Sequence, residues 1–296
     1  MSTTTTPITD ALDLFLVQLE ADGRSRHTIG QYRRHVQALA AWATTEGLDD
    51  IAAIGHAVLA RFLTSTAARC RPDGKTKKAT TANALRTSLR CFFTYLHEAG
   101  LIAVNPARLI RRARCSPPPP RGLSVDEVNR LVAALEGAEG PVERRDRALF
   151  LLMLRTGIRI GSALALDIED LDLPAGEARL RSMKGDREDI AYLPVEVAAA
   201  LAEVTEGRVS GPVFLGAGDR RLSARHAQRL LGRWLAQAGV DRPASPHSLR
   251  HSFATGLLRR TGDVVLVQAA LHHRSIASTM IYARTDASRV RAALTA

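Results

Sequence analysis

RRARCSPPPPRGLSVDEV, residues 111–128, decides how this chain is divided. Arg111, Arg112 and Arg114 precede four consecutive prolines, Pro117 to Pro120. A proline run has a fixed φ and no N–H to donate, so it cannot continue a helix and favours an extended, semi-rigid spacer. Ser124 and Glu127 then stand at the spacing of a capping box, ahead of Val128, Leu131 and Leu135 at helical intervals. One unit ends in this stretch and another begins. We read residues 1–104 as a first domain, 105–122 as a basic, proline-rich linker and 123–296 as a second domain. The linker arginines suit phosphate contacts and a solvated spacer equally.

Upstream, apolar residues recur every three or four positions. Ile29, Tyr32, Val36, Leu39 and Trp42 line one helical face, with Gly47 as its stop. Leu12, Phe15, Leu16 and Leu19 form a shorter stripe. Leu85, Leu89, Phe92, Phe93 and Leu96 form a third, ended by Gly100. A further helix is expected near Val58 to Thr66, followed by a polar loop at 71–78. Four helices with short connections predict a small all-α domain.

Downstream, helices are expected from about Glu143 to Thr156, from about Ile160 to Leu166, near 196–204 and at 224–238 behind Ser223 as cap. Residues from Ser248 onward read as further helices. Residues 178–194 alternate around Gly185–Asp186, a turn dipeptide that predicts a β-hairpin. The expected fold is mainly α, with one small antiparallel sheet in the second domain.

The chain has 296 residues, enough for about two domains. It is 46% hydrophobic and 24% charged, which supports a packed core and argues against disorder. No apolar run reaches the ~18–20 residues that span a bilayer, so no membrane segment is expected. The start, MSTTTTPITD, lacks a cationic region followed by an apolar one, so no secretory signal is expected. Cys70, Cys91 and Cys115 are too few for a disulfide framework, and a reduced, cytoplasmic compartment is expected. The formal net charge is +11. Residues 1–122 hold 17 basic and 9 acidic side chains, whereas residues 123–296 hold 24 and 21. A basic first half fits a polyanion partner, most simply nucleic acid; a solvated arginine-rich surface has the same composition.

Four fragments of the second domain carry groups suited to anion chemistry. In RTGIRIGSALAL (155–166), Gly157 ends one helix and Arg159 stands near the start of the next. Backbone N–H groups and a guanidinium can face one anion there, although an ordinary helical corner has the same form. Lys184, beside the expected hairpin turn, is the only lysine after residue 78. Unlike arginine, it can give up a proton. In PHSLRH (246–251), His247 and Arg250 share one helical face. His251 is four residues from His247, a metal-ligand spacing, but position 248 is Ser rather than the Glu of a zinc hydrolase. In LHHRSIASTMIYA (271–283), His273 and Tyr282 lie nine apart across an expected turn.

Together these fragments resemble the tyrosine recombinase (phage integrase) family, in a Xer-like plan. The likeness covers nearly the whole chain. It implies a helical, SAM-like core-binding domain, a linker and a mostly helical catalytic domain. TGIRI at 156–160 resembles the first arginine box, so Arg159 takes the first catalytic arginine. MKGDRE at 183–188 resembles the hairpin of the catalytic lysine, Lys184. PHSLRHSFA at 246–254 resembles the His-x-x-Arg box, giving His247 and Arg250. LHHRSIASTMIY at 271–282 resembles the Leu-Gly-His box and the nucleophile, giving His273 and Tyr282. Two positions depart from the pattern. Ser162 stands where the family has an acidic residue, and His272 where it has glycine. The first is expected to loosen Arg159, the second to alter the turn that aims His273.

The resemblance implies phosphoryl transfer to a phenol. Tyr282 attacks a DNA phosphate and leaves a 3′-phosphotyrosyl bond, with His247 as base and Lys184 as proton donor. Arg159, Arg250 and His273 hold the phosphate. No cofactor, metal or ATP is implied. The implied partners are double-stranded DNA, clamped with the help of the basic first domain, and further protomers. These make a homotetramer, or a heterotetramer with a paired recombinase, on two DNA sites. Val290, Ala292, Ala293 and Leu294 form a modest apolar patch that suits docking in trans or a frayed tail. Three other readings share these residues: a type IB topoisomerase-like enzyme, a non-catalytic DNA-binding regulator, and a zinc hydrolase using His247 and His251.

Overall fold

The computed structural model describes residues 6–115, 122–137, 139–181, 189–273 and 275–283. The chain divides into two compact units, 1–117 and 118–296.

In the first unit, α1 (Ile8–Ala21) and α2 (Arg26–Thr45) pack on each other and on α5 (Ala79–Glu98). The periodic apolar residues form the shared core. Ile8, Leu12, Phe15 and Leu19 of α1 meet Val36 and Leu39 of α2 and Leu89, Phe92 and Phe93 of α5. The ring of Phe15 stands 5.4–5.6 Å from those of Tyr32, Phe92 and Tyr95, at the edge-on and tilted angles that aromatic pairs favour. α2 begins at Ser25, whose Oγ accepts from the Thr28 N–H.

The helix expected near Val58 to Thr66 is two helices, α3 (His56–Thr64) and α4 (Thr66–Arg69). Ser65 breaks them apart. Its backbone is extended, its Oγ donates to the Phe62 carbonyl at 2.7 Å, and the same oxygen caps α4. A short polar side chain that satisfies both helix ends removes the reason for one to continue.

The segment read as linker begins as part of this unit. Ala107 and Ile110 are buried in its core. Asn83, 2% exposed on α5, grips both backbone groups of Ala113: the Ala113 N–H donates to Oδ1 at 2.7 Å and Nδ2 donates to the carbonyl at 2.9 Å.

The second unit opens with the expected capping box. The Glu127 N–H donates to Ser124 Oγ and the Ser124 N–H to Glu127 Oε2, starting α6 (Val125–Glu136). Arg242 donates to both carboxylate oxygens of Glu127 at 2.8 Å and to the Gly122 carbonyl at 2.6 Å. These bonds hold the Glu127 carboxyl down to about 2. α7 (Pro141–Thr156) is buried almost all round from Ala148 to Leu154, as a central helix must be. α6, α8 (Ile160–Ala165), α9 (Val195–Thr205) and α11 (Pro246–Thr261) pack around it. Its one buried charge, Asp146, accepts from Trp234 Nε1 of α10 (Ala224–Gln237) at 3.0 Å and from Arg145.

A three-stranded antiparallel sheet lies between α8 and α9 in sequence, in the order β1 (Leu171–Asp172), β2 (Glu177–Leu180), β3 (Asp189–Tyr192). Leu180 pairs with Asp189 at the end of the β2–β3 ladder where the chain passes from one strand to the next. The expected Gly185–Asp186 turn lies outside the described residues. After α11, the chain forms α12 (Val264–Ala270) and the single-turn α13 (Met280–Ala283). Among the described residues, no helix is long and apolar enough to cross a membrane.

Candidate active site

Three corners of the second unit meet at one place. The first is the junction of α7 and α8. Gly157 ends α7 in the left-handed conformation, φ +67°, which a residue without Cβ adopts freely. Two residues on, Arg159 is the N-cap of α8, with its side chain exposed.

The second corner is the start of α11. A Ser245–Ser248 capping box and Pro246 in the first turn set its register. His247 therefore stands on the first turn, a partly exposed residue whose ring packs against His251, and Arg250 points inward one turn later. Arg250 is 2% exposed. Its Nη1 donates to the Gly157 carbonyl and its Nη2 to the Leu271 carbonyl, each at 2.6 Å.

The third corner runs from the end of α12 to α13. His272 takes a left-handed φ of +51°, so the turn forms with imidazole where glycine was expected. His273 follows, held by its Nδ1 at 2.9 Å from Thr279 Oγ1 and by Gln268, whose Nε2 donates to its carbonyl at 3.0 Å. Tyr282, on α13, is 4% exposed and belongs to a cluster with Ala254, Leu258, Val267 and Leu271. Its ring stands edge-on to His251, centroids 5.1 Å apart; His251 in turn stands edge-on to His247 at 4.6 Å.

Charge shows the same convergence. Arg250 and Arg159 both act on His247, His272, His273 and Tyr282. Burial, then these two cations, pull His247 below the ordinary imidazole range. The same causes, with His247 and His251, pull His273 down to about 4. Burial pushes the Tyr282 phenol up against the opposing pull of both guanidiniums. Burial and Arg159 bring Arg250 itself down to about 10. Two guanidiniums bearing on the same imidazoles and phenol favour a bound anion.

The structure thus brings together Arg159, His247, Arg250, His273 and Tyr282. Lys184 lies outside the described residues, as does the apolar patch of Val290, Ala292, Ala293 and Leu294. From its sequence spacing His251 is a candidate metal ligand; in the fold it is the ring against which Tyr282 packs. Its spacing of four from His247, on the same helical face, was the available signal. Among the described residues, no group of three His, Cys, Asp or Glu side chains is placed to hold a metal ion.

Residues 121–289 match the family model described as the phage integrase family, and residues 12–100 match that of the phage integrase N-terminal SAM-like domain. The chain is 32% identical over 280 residues to tyrosine recombinase XerC of Xanthomonas campestris pv. campestris (strain B100), covering 93% of this chain and 84% of the relative. It is 32% identical over 276 residues to tyrosine recombinase XerD of Mycobacterium tuberculosis (strain ATCC 25618 / H37Rv), covering 88% of each. Among solved structures, it resembles XerH site-specific recombinase bound to palindromic difH substrate, with a TM-score of 0.75 at 23% identity, covering 95% of this chain and 84% of that one. It also resembles a lambda integrase tetramer bound to a Holliday junction, with a TM-score of 0.69 at 20% identity, covering 93% and 79%. These two likenesses are likenesses of fold.

Proposed function

This chain belongs to the phage integrase family, and from that membership we propose how it acts as a site-specific tyrosine recombinase on duplex DNA. The phenol oxygen of Tyr282 attacks a scissile phosphate. The P–O bond to the 5′ oxygen breaks, and a 3′-phosphotyrosyl ester remains. Covalent catalysis of this kind divides one hard step into two reversible ones, and the ester conserves the bond energy without ATP.

A free phenol has a pKa of about 10, so its proton needs an acceptor. His247 takes it, its imidazole being held neutral by burial, Arg250 and Arg159. Arg159 and Arg250 receive the non-bridging oxygens, where charge grows in the transition state. His273 donates a hydrogen bond to the phosphate, and Lys184 protonates the departing 5′ oxygen. Tyr282 rests against His251 in the free chain, and DNA binding displaces the single-turn α13 to release it for attack. The basic first unit adds phosphate contacts and a steep salt dependence. Four protomers act on two DNA sites, as a homotetramer or with a paired recombinase, in the cytoplasm.

What supports this reading above all is the convergence of two guanidiniums, three imidazoles and one phenol from stretches of sequence some 120 residues apart. The test is a nicked suicide duplex drawn from DNA flanking the gene. Wild type is expected to leave a covalent protein–DNA adduct, and Tyr282→Phe to bind with equal affinity and leave none. Adducts from Tyr282→Phe would show that the nucleophile is another residue.

A further inference from the structure

His272 occupies a backbone conformation that favours glycine. At φ +51° it closes the turn after α12, and only a small share of residues with a side chain accept that region. A strained residue persists where its surroundings hold it, so the question is what the imidazole touches. Its Nδ1 lies 3.8 Å from Oδ1 of Asp189, the first residue of β3. The imidazole is 18% exposed and the carboxylate 48%. Three charged groups act on the ring from three elements. Asp189 of β3 favours its protonation; Arg250 of α11 and Arg159 at the head of α8 oppose it, and burial opposes it most.

The contact joins two stretches that the sequence keeps far apart. Asp189 comes five residues after Lys184, and His272 ten residues before Tyr282. One hand of the pair is on the strand that leaves the lysine segment. The other is on the turn that leads to the nucleophile.

We propose that His272 is a positioning residue for strand cleavage: with a DNA phosphate seated at Arg159 and Arg250, its imidazolium fastens to Asp189 and so ties the start of β3 to the turn that leads to Tyr282. This deepens the recombinase reading and rests on it. In the free chain burial, with the two guanidiniums behind it, keeps the imidazole neutral. A phosphate diester anion offsets the two cations, so burial alone then opposes the pull of Asp189 and the ring takes a proton from solvent. The substrate thereby assembles the clasp, and product release undoes it.

The test uses the full chain and a nicked suicide duplex that the wild type cleaves. His272→Gly relaxes the backbone while removing the imidazole, and Asp189→Asn removes the carboxylate charge. At about pH 6, within the imidazole range, each is expected to slow single-turnover adduct formation about fivefold. The double variant is expected to be no slower than either single one. The wild-type advantage over His272→Gly is expected to shrink toward none as pH rises and the imidazolium is lost. A pH-independent ratio, or losses that multiply in the double variant, overturns the proposal.

Imidazole NMR of the free chain supplies a measurement without DNA, with His272 assigned by its absence from His272→Gly. Asp189→Asn is expected to lower the His272 titration midpoint, and an unmoved midpoint overturns the contact. If wild type forms adducts and both variants match it, the clasp fails and the recombinase reading stands. If wild type forms none while the midpoint still moves, the recombinase reading fails and the clasp falls with it.

Discussion

The guanidinium of Arg250 donates through Nη1 to the backbone carbonyl of Gly157, 2.6 Å away and 93 residues earlier in the chain. Its other terminal nitrogen reaches the Leu271 carbonyl at the same distance. A group proposed to meet the transition state is therefore also the bolt that joins three corners of the site. Those two carbonyls close α7 and α12, where helix ends leave acceptors without intrahelical partners.

Arg250→Ala is expected to fail twice. Each buried carbonyl left without a donor costs about 1–3 kcal/mol, which thermal unfolding of the full chain measures. Loss of a preorganised donor to the phosphate slows cleavage about 100- to 1000-fold. Arg250→Lys separates the two, because a single ammonium keeps the charge but lacks the planar fork. Partial recovery of stability with cleavage still depressed is the expected result. A cleavage loss below tenfold in Arg250→Ala would remove the residue from the proposed chemistry.

Gly157→Ala is expected to destabilise the second unit by more than the usual ~1 kcal/mol of a left-handed position. A Cβ there would lie 2.3 Å from Phe253 Cδ1 and 3.0 Å from Leu271 Cδ2, well inside contact distance. Phe253 or the Gly157 corner must move, and that corner carries both the acceptor of Arg250 and the start of the Arg159 turn. A lowered unfolding midpoint with weakened cleavage is expected; wild-type behaviour in both would show that the corner yields cheaply.

Asn83→Ala is expected to free the chain ahead of the prolines. Its amide alone supplies both partners of the Ala113 backbone, much as a neighbouring strand would. Without it, limited trypsin digestion is expected to cut at Arg111, Arg112 and Arg114 about tenfold faster, reflecting the loss of about 1–2 kcal/mol of local protection. An unchanged rate would mean that Ala107 and Ile110 alone hold this segment.

Acid is expected to weaken the second unit before it affects ordinary carboxylates. His273 titrates at about 4 when folded and near 6.5 when unfolded, because burial and the surrounding cations resist its charge. Below pH 6.5 the unfolded chain binds a proton that the folded chain refuses, so stability present above that value is lost as pH falls toward 4. His247 and His272 shift in the same direction and add to the slope. Urea midpoints measured from pH 8 down to about 4 are expected to fall below 6.5 and to fall less in His273→Asn. Parallel curves would place the acid sensitivity elsewhere.

Much of the fold is legible in the sequence itself. The apolar stripes of α1, α2 and α5 and the Ser124–Glu127 capping box are local patterns, and local patterns are read from neighbouring residues alone. The break at Ser65 escaped because a serine inside an apolar stripe says nothing about which helix its hydroxyl will serve. The start of α7 at Pro141 rather than near Glu143 is a boundary effect of proline in the first turn. Asn83 escaped because its partner is 30 residues away in sequence.

The site divides in the same way. Residue order resembles the boxes of the phage integrase family, and that resemblance implies a phenol, guanidiniums and imidazoles handling a phosphate, whereas each fragment by itself reads equally as an ordinary corner, turn or core residue. Folding decided which of them bear on one another: that Arg250 is buried as a structural tie, that the ring of His251 faces Tyr282, and that His272 meets Asp189 across the sheet edge. A sequence fixes what each side chain is able to do. Burial, mutual charge and the reach of long-range hydrogen bonds exist only once the helices have packed, so only the tertiary structure could set them.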